Sequence, residues 1–365
     1  MVAPQGAEYQ TGQSKILLRK ESLKMKEILR KLTQKQELSQ DDIDHVVFGV
    51  KEDKFSNTQI AGFLMALLMK GPTTAEVAAI ARAMRRVCVP IRPRVSDGLT
   101  DTCGTGGGLT TFNVSTANAL LAAAGGVNIA KHGSRSISAS SGSADALEAL
   151  GITVELQPQQ AERLIEEVGF SFLYAPFFHP VMGKVFSPEN ELGIKTIFFT
   201  IIGPLINPAD ARRHVLGVYQ PQLVEQVAEV AYQLGFVHAL IVHGVDGLDE
   251  ISLLGETRVA EIKEGRISYY SIVPEQFGMK RCTFEDVRGG SPQYNAQLIR
   301  DIFSGNERGP KRDMLLLNSA AAFLVADKVS SMEEGLVMAQ ETLDSGRATA
   351  KLNEIITKSR ELSRS

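Results

Sequence analysis

The chain has 365 residues, 44% of them hydrophobic and 22% charged, ordinary values for a globular protein that exclude wholesale disorder and a fibrous repeat. A chain of this length buries roughly 75% of its unfolded surface and needs no metal or disulfide staple to fold. Lys and Arg number 39 against 42 Asp and Glu, a formal net charge of −3, which sets aside a duplex nucleic-acid binder because that class carries a basic excess. Residues 1–20 read as a polar extension without the apolar core of a signal peptide. From about Glu21 to Arg86 the pattern is helical. Ile28, Leu29 and Leu32 recur at helical spacing, and Ser39 followed by Asp41 and Asp42 marks a helix start. Ile60, Phe63, Leu64, Leu67 and Leu68 form a broad apolar face that Gly71-Pro72 ends. Thr74 is a candidate cap for the next helix, with Val77, Ile80 and Met84 on one face.

Pro90 to Pro93 reads as a linker, so residues 21–93 are expected to form a helical domain and 94–365 an α/β domain. In the second part, short apolar runs (VNIAKHG, FSFLYAP, HALIVHG and RVAEIKEGRISYYSI) alternate with helical stretches, the texture of α/β architecture. Residues 187–210 form a second helical stretch that can fold back on the first unit. From about Pro310 the pattern is helical again. Three cysteines, Cys88, Cys103 and Cys282, show no CxxC spacing, which argues against a zinc site and suits a reducing compartment. No run of roughly 18 apolar residues is present, and a cytoplasmic protein with no membrane partner is expected.

The strongest chemical signal is the segment DTCGTGGG (101–108), followed by Asn113, Ser115 and Thr116 and an Ala/Leu-rich helix. Consecutive glycines let backbone N–H groups approach a bulky anion, and a helix start adds unpaired N–H groups. Thr111, Ser115 and Thr116 supply hydroxyls for a phosphate, and Ser115 can join a Mg2+ shell. A tight turn with a Ser/Thr cap accounts for the same residues. Lys131 and Arg135 follow an apolar run and flank Gly133, a cationic setting suited to phosphate; a solvated basic turn is the alternative. Ser141-Gly-Ser143 precedes another helix. Asp249 and Glu250 follow ALIVHG, and adjacent carboxylates attract a divalent cation that bridges to substrate phosphates, although such pairs commonly sit in surface turns. His45, His214 and His238 read as structural or exposed. His132 and His179 lie in suggestive motifs. No Ser-His-Asp order or HExxH spacing appears, and no residue is assigned a catalytic acid–base role.

Read in order, DTCGTGG, FNVSTA, KHGSR, SGSADALEALG, APFFHPVM, LGIKTIF, GPLINPA and HGVDGLDE resemble the anthranilate phosphoribosyltransferase family, from about Leu29 to the C-terminal region. The resemblance implies a small helical domain plus a larger α/β domain of the nucleoside phosphorylase/phosphoribosyltransferase (class III-like) architecture, with homodimerisation through the helical domain. It implies transfer of phosphoribose from phosphoribosyl pyrophosphate (PRPP) to the amine of anthranilate. It places Gly104, Thr105, Gly106, Gly107, Thr111, Asn113, Ser115, Thr116, Lys131 and Ser143 at PRPP. Ser115, Asp249 and Glu250 would hold Mg2+, and His132, Gly133, Ser134, His179, Glu189 and Pro204 would lie near the acceptor.

Three positions depart from the family pattern. GTGGDG is here GTGG followed directly by Gly108 and Leu109. KHGNR is KHGSR, with Ser134 at the Asn position. Glu189 stands where the family has an Arg that pairs with the anthranilate carboxylate, a repulsive exchange; Lys184 and Lys195 are the nearby cations. Another aromatic amine as acceptor, or a nucleoside phosphorylase-like relative, are the alternative readings.

Overall fold

The computed structural model describes residues 23–135, 141–198 and 200–364; the polar extension expected over residues 1–20 lies outside them. The chain divides into two compact units. One comprises the chain up to Cys88 together with His179–Ile202, the other Val89–Phe178 and Gly203–Ser365.

The first unit is helical: residues 23–33, Gln40–Lys51, Asn57–Lys70, Thr74–Val87 and the returning Pro180–Leu192. Three of its helices start with reciprocal caps. Ser39 pairs with Asp42, Ser56 with Gln59 and Thr73 with Glu76, so each cap hydroxyl and each third-residue side chain satisfies a backbone N–H. The third cap is Thr73 rather than Thr74, because Glu76 is the acidic partner three residues on. Glu76 is 1% exposed and is satisfied by the Leu38 and Thr73 N–H groups and by Lys70. Ile28, Ile43, Val47, Leu64, Ile80 and Met84 are buried in this unit.

The helical unit ends at Cys88, before Pro90, and the returning segment is His179–Ile202 rather than 187–210. Backbone hydrogen bonds explain both shifts. Val89 N–H donates to the Phe178 carbonyl and Ile91 N–H to the Pro208 carbonyl. Arg92 N–H donates to Glu162. The proline-rich stretch is thus stitched into the second unit.

The second unit is built on a seven-stranded sheet: β1 Thr100–Asp101, β2 Ile129–Gly133, β3 Phe170–Tyr174, β4 Arg213–Gly217, β5 His238–Gly244, β6 Thr257–Lys263 and β7 Arg266–Ile272. Their order is β3-β2-β1-β4-β5-β6-β7. The first five run parallel, and β6 and β7 are antiparallel additions. The α/β expectation is therefore borne out. β1 and β4 were not anticipated. β1 has only two residues, and β4 (RHVLG) opens with two polar residues whose burial depends on partners: Arg213 pairs with Asp327, and His214 Nε2 lies 2.8 Å from the Cys103 carbonyl. The Ala-rich helix Val114–Ala124 packs against helix Pro310–Val325, which is buried along most of its length. Chain order proceeds outward from β1 through β2 to β3, then returns to the other side of β1 with β4. Such a reversal opens a crevice at the C-terminal edge of the strands. Among the described residues no helix is long and apolar enough to cross a membrane.

Candidate active site

The C-terminal ends of β1, β2, β4 and β5 bring the motifs of the α/β unit together. Asp101 anchors them. Its Oδ1 accepts the N–H groups of Thr102 (2.7 Å), Cys103 (3.1 Å) and His132 (3.3 Å). Its Oδ2 accepts Asn207 Nδ2 at 2.8 Å. This fully buried carboxylate ties the end of β1 to β2 and to the loop before β4. The resemblance did not assign Asp101 or Asn207 a role; the starting D of DTCGTGG was the available signal.

The glycine turn follows. Gly106 and Gly107 have φ of 62° and 92°, the left-handed region that glycine adopts without penalty. Thr105 N–H donates to the Gly217 carbonyl and Gly106 N–H to Asp249 Oδ2 at 2.8 Å. These two donors are committed within the protein. Among the described residues the N–H groups of Gly107 and Gly108 find no protein acceptor. A Cβ at Gly104 would lie 3.1 Å from Asp249 Oδ2, and one at Gly217 would collide with the Asp249 carbonyl. The two glycines therefore let the turn and the acidic loop approach. Gly217 was missed because a lone glycine at the end of an unrecognised strand carries no signal.

The helix after the turn begins at Val114, with Asn113 at its cap in the left-handed region, so Ser115 and Thr116 lie inside the first turn rather than before it. Asn113 spends its side chain on protein: Oδ1 accepts from Asn295 Nδ2 and Ser141 Oγ, and Nδ2 donates to the Ser141 carbonyl. Thr116 is fully buried, and Thr111 forms an antiparallel bridge with Arg288. Ser143 is the first residue of a short helix capped by Gly142, and its hydroxyl donates to the Ser134 carbonyl at 3.3 Å. A Cβ at Gly133 would strike that hydroxyl.

Lys131 is 1% exposed, and its Nζ lies 3.4 Å from both Thr102 Oγ1 and Ser115 Oγ. Among the described residues it makes no ion pair within 4.0 Å. A buried ammonium held by two long hydroxyl contacts is short of an anion. Arg135 behaves differently. It bonds Glu148 and Glu155, lies 3.5 Å from Asp145 and sits over the Tyr174 ring. The phosphate role read for both cations is thus limited to Lys131.

Asp249 and Glu250 stand beside these groups. The Ser115 backbone and the charge of Lys131 both favour the ionised form of Glu250. Burial raises the pKa of both acids, and Asp249 raises that of Glu250 further. Two adjacent, partly buried carboxyls, with a serine hydroxyl nearby, fit a divalent cation that would remove this repulsion. Among the described residues no group of three or more His, Cys, Asp or Glu could hold a metal ion. A two-carboxylate set is the kind Mg2+ uses when substrate phosphates and water complete its shell.

The residues assigned to the acceptor divide between the units. His132, Gly133, Ser134 and Pro204 belong to the α/β unit, His179 and Glu189 to the helical unit. His132 is 3% exposed, its Nδ1 lies 3.1 Å from the Gly203 carbonyl, and burial lowers its pKa. The ring is therefore held as the neutral tautomer with Nδ1 protonated. Ser134 is exposed and Pro204 buried. His179 is buried at the cap of Pro180–Leu192. Glu189 is 3% exposed. Its Oε1 accepts the Thr196 N–H at 2.8 Å and the Thr196 hydroxyl, while Oε2 is buried without a hydrogen-bond partner among the described residues. Burial raises its pKa. Lys184 is not an available cation, since it pairs with Asp53 and bonds the Lys51 carbonyl.

Known proteins share both units of this chain. Residues 96–349 match the glycosyl transferase family α/β domain, and residues 26–88 its helical bundle domain. The chain is 47% identical over 333 residues to an anthranilate phosphoribosyltransferase from Acetivibrio thermocellus, covering 91% of this chain and 96% of the relative. The crystal structure of the Thermus thermophilus anthranilate phosphoribosyltransferase superposes with a TM-score of 0.85 at 41% identity, covering 91% of this chain and 99% of that one. The Saccharomyces cerevisiae enzyme in complex with PRPP and Mg matches with a TM-score of 0.84 at 28% identity, covering 92% and 98%. A catalytic crevice at the sheet edge, both matching domains and this extent of identity place the chain in the anthranilate phosphoribosyltransferase family of glycosyl transferases.

Proposed function

We propose that this protein transfers the 5-phosphoribosyl group of PRPP to the amine of anthranilate with Mg2+, releasing pyrophosphate. The observation that carries this reading is the convergence on one sheet edge of two glycine N–H groups without a protein acceptor among the described residues, the buried Lys131 and the paired carboxyls of Asp249 and Glu250. The N–H groups of Gly107 and Gly108, with Lys131 and the hydroxyls of Thr111, Ser115, Thr116 and Ser143, would bind PRPP. Gly104, Thr105 and Gly106 shape the turn, and Asn113 holds its end. Ser115, Asp249 and Glu250 would hold Mg2+, which when bound supplies charge neutralisation for the departing pyrophosphate.

The C1–N bond forms as the C1–O bond to pyrophosphate breaks, and the amine releases a proton to solvent. An aromatic amine is neutral near pH 7, so positioning rather than a strong base is the requirement. His132, with its Nδ1 toward the Gly203 carbonyl, is one of the acceptor residues. Gly133, Ser134, His179, Glu189 and Pro204 complete the acceptor assignment. The Glu189 exchange is compatible with an anionic acceptor because burial favours its neutral form and Thr196 occupies one oxygen. A homodimer through the helical unit, where Leu23 and Met69 expose apolar side chains, and a cytoplasmic setting, in keeping with three cysteines that lack a CxxC spacing, belong to the same reading.

The test is loss of anthranilate fluorescence with purified protein. Loss that requires both PRPP and Mg2+ is expected. Calorimetric PRPP binding without anthranilate consumption would overturn the acceptor and direct a screen of other aromatic amines. Absence of PRPP binding would overturn the site.

A further inference from the structure

Two buried asparagines stand behind the two halves of the site. Asn295 lies on helix Pro292–Phe303 and Asn318 on helix Pro310–Val325, with exposures of 0% and 1%. Asn295 Nδ2 donates to Asn113 Oδ1 at 2.7 Å and to the Gly290 carbonyl at 3.3 Å, while its Oδ1 accepts the Gly290 N–H at 2.8 Å. Asn113 is the left-handed cap between the glycine turn and its helix, and its amide also grips Ser141. Asn318 makes a similar pincer on the acidic loop. Its Oδ1 accepts the Ile251 N–H at 3.0 Å, and its Nδ2 donates to the Ile251 and Met314 carbonyls at 2.9 Å each. Ile251 follows Glu250 directly.

Asn295 reaches Asn113 with its donor while both its groups hold Gly290, and Asn318 uses both its groups on Ile251. Neither is assigned to a ligand. We propose that Asn295 and Asn318 are positioning residues for the transfer reaction: Asn295 fixes the phosphate turn through Asn113, and Asn318 fixes Asp249 and Glu250 through the Ile251 backbone. This rests on the reading of the site as one for PRPP and Mg2+. Both side chains are buried to the same degree, so a purely structural role predicts the same phenotype for each. A positioning role predicts different ones.

The experiment compares Asn295→Ser and Asn318→Ser with the full-length wild type. It reads both substrate KM values, kcat, the Mg2+ dependence, Mn2+ binding in the presence of pyrophosphate by EPR, and the melting temperature. Asn295→Ser is expected to raise the PRPP KM about tenfold with metal affinity within about twofold. Asn318→Ser is expected to weaken Mn2+ binding and raise the half-saturating Mg2+ about tenfold, with the PRPP KM at saturating metal within about twofold. Should a serine variant fail to fold, Asn295→Asp and Asn318→Asp, which keep the acceptor and remove the donor, are measured in the same way. Lower melting temperatures with unchanged KM and metal binding, or the same functional change in both variants, would overturn the proposal. A wild type that neither binds nor uses PRPP would instead overturn the reading of the site on which it rests.

Discussion

The acidic pair of the α/β unit is partly buried and the lone Glu189 of the helical unit fully so, and burial raises the pKa of all three. Their surroundings separate them. Asp249 and Glu250 are neighbours that raise each other's cost of ionisation, set among N–H groups, a serine hydroxyl and a buried ammonium. Such a pair is completed by a cation. Glu189 has no second acid beside it, and Thr196 supplies two donors to one of its oxygens. Its surroundings favour the protonated form over the ionised one. Burial alone does not mark a functional carboxylate; the partners decide whether it awaits a ligand or serves the fold.

The largest effect expected from this contrast is at the pair. Asp249→Asn and Glu250→Gln should each lower kcat/KM for PRPP by about 10²-fold or more, with the fold intact by circular dichroism, because preorganised charge at the departing group supplies most of the catalysis. Lys131→Ala should raise the PRPP KM about tenfold to a hundredfold, the range for a lost charge-assisted hydrogen bond. It should change the melting temperature little, since Lys131 makes only two 3.4 Å hydroxyl contacts; a large fall would show that Lys131 serves the fold.

Glu189 gives a smaller effect, read through pH. Its folded-state pKa lies above the ordinary value of 4.5, so the native state binds the proton more tightly than the unfolded chain. The stability that the protonated carboxyl contributes is therefore full below pH 4.5 and declines as pH rises through the folded value. Glu189→Gln should melt above wild type at neutral pH, with the gap closing as pH falls towards 4.5; a gap independent of pH would refute this. The smallest change is expected for Arg135→Ala. It should leave the PRPP KM within about a factor of two, because that guanidinium is held by partly exposed carboxylates whose ion pairs contribute little.

Much of this was legible in the sequence where a local rule applied. Apolar runs found β2, β3, β5, β6 and β7, and Lys131 and the acidic pair meet the glycine-rich turn at one sheet edge, as the positions of Lys131 and the acidic pair after strands suggested. Legibility failed where tertiary partners decide. β4 is a strand because Asp327 and the Cys103 carbonyl satisfy its polar residues. Arg135 reads as a phosphate ligand until Glu148 and Glu155, from later segments, claim it. Asn295 and Asn318 look like ordinary polar positions on helices, since their partners lie 182 and 67 residues away.

The central claim is that the glycine turn, Lys131 and the acidic pair form one site for PRPP with a divalent cation. It is tested most directly by calorimetric titration of PRPP into the protein with Mg2+ and with EDTA. Binding that is strong with Mg2+ and lost with EDTA, and that Lys131→Ala weakens, is the predicted result. Binding indifferent to both the metal and Lys131, or no binding at all, would contradict it.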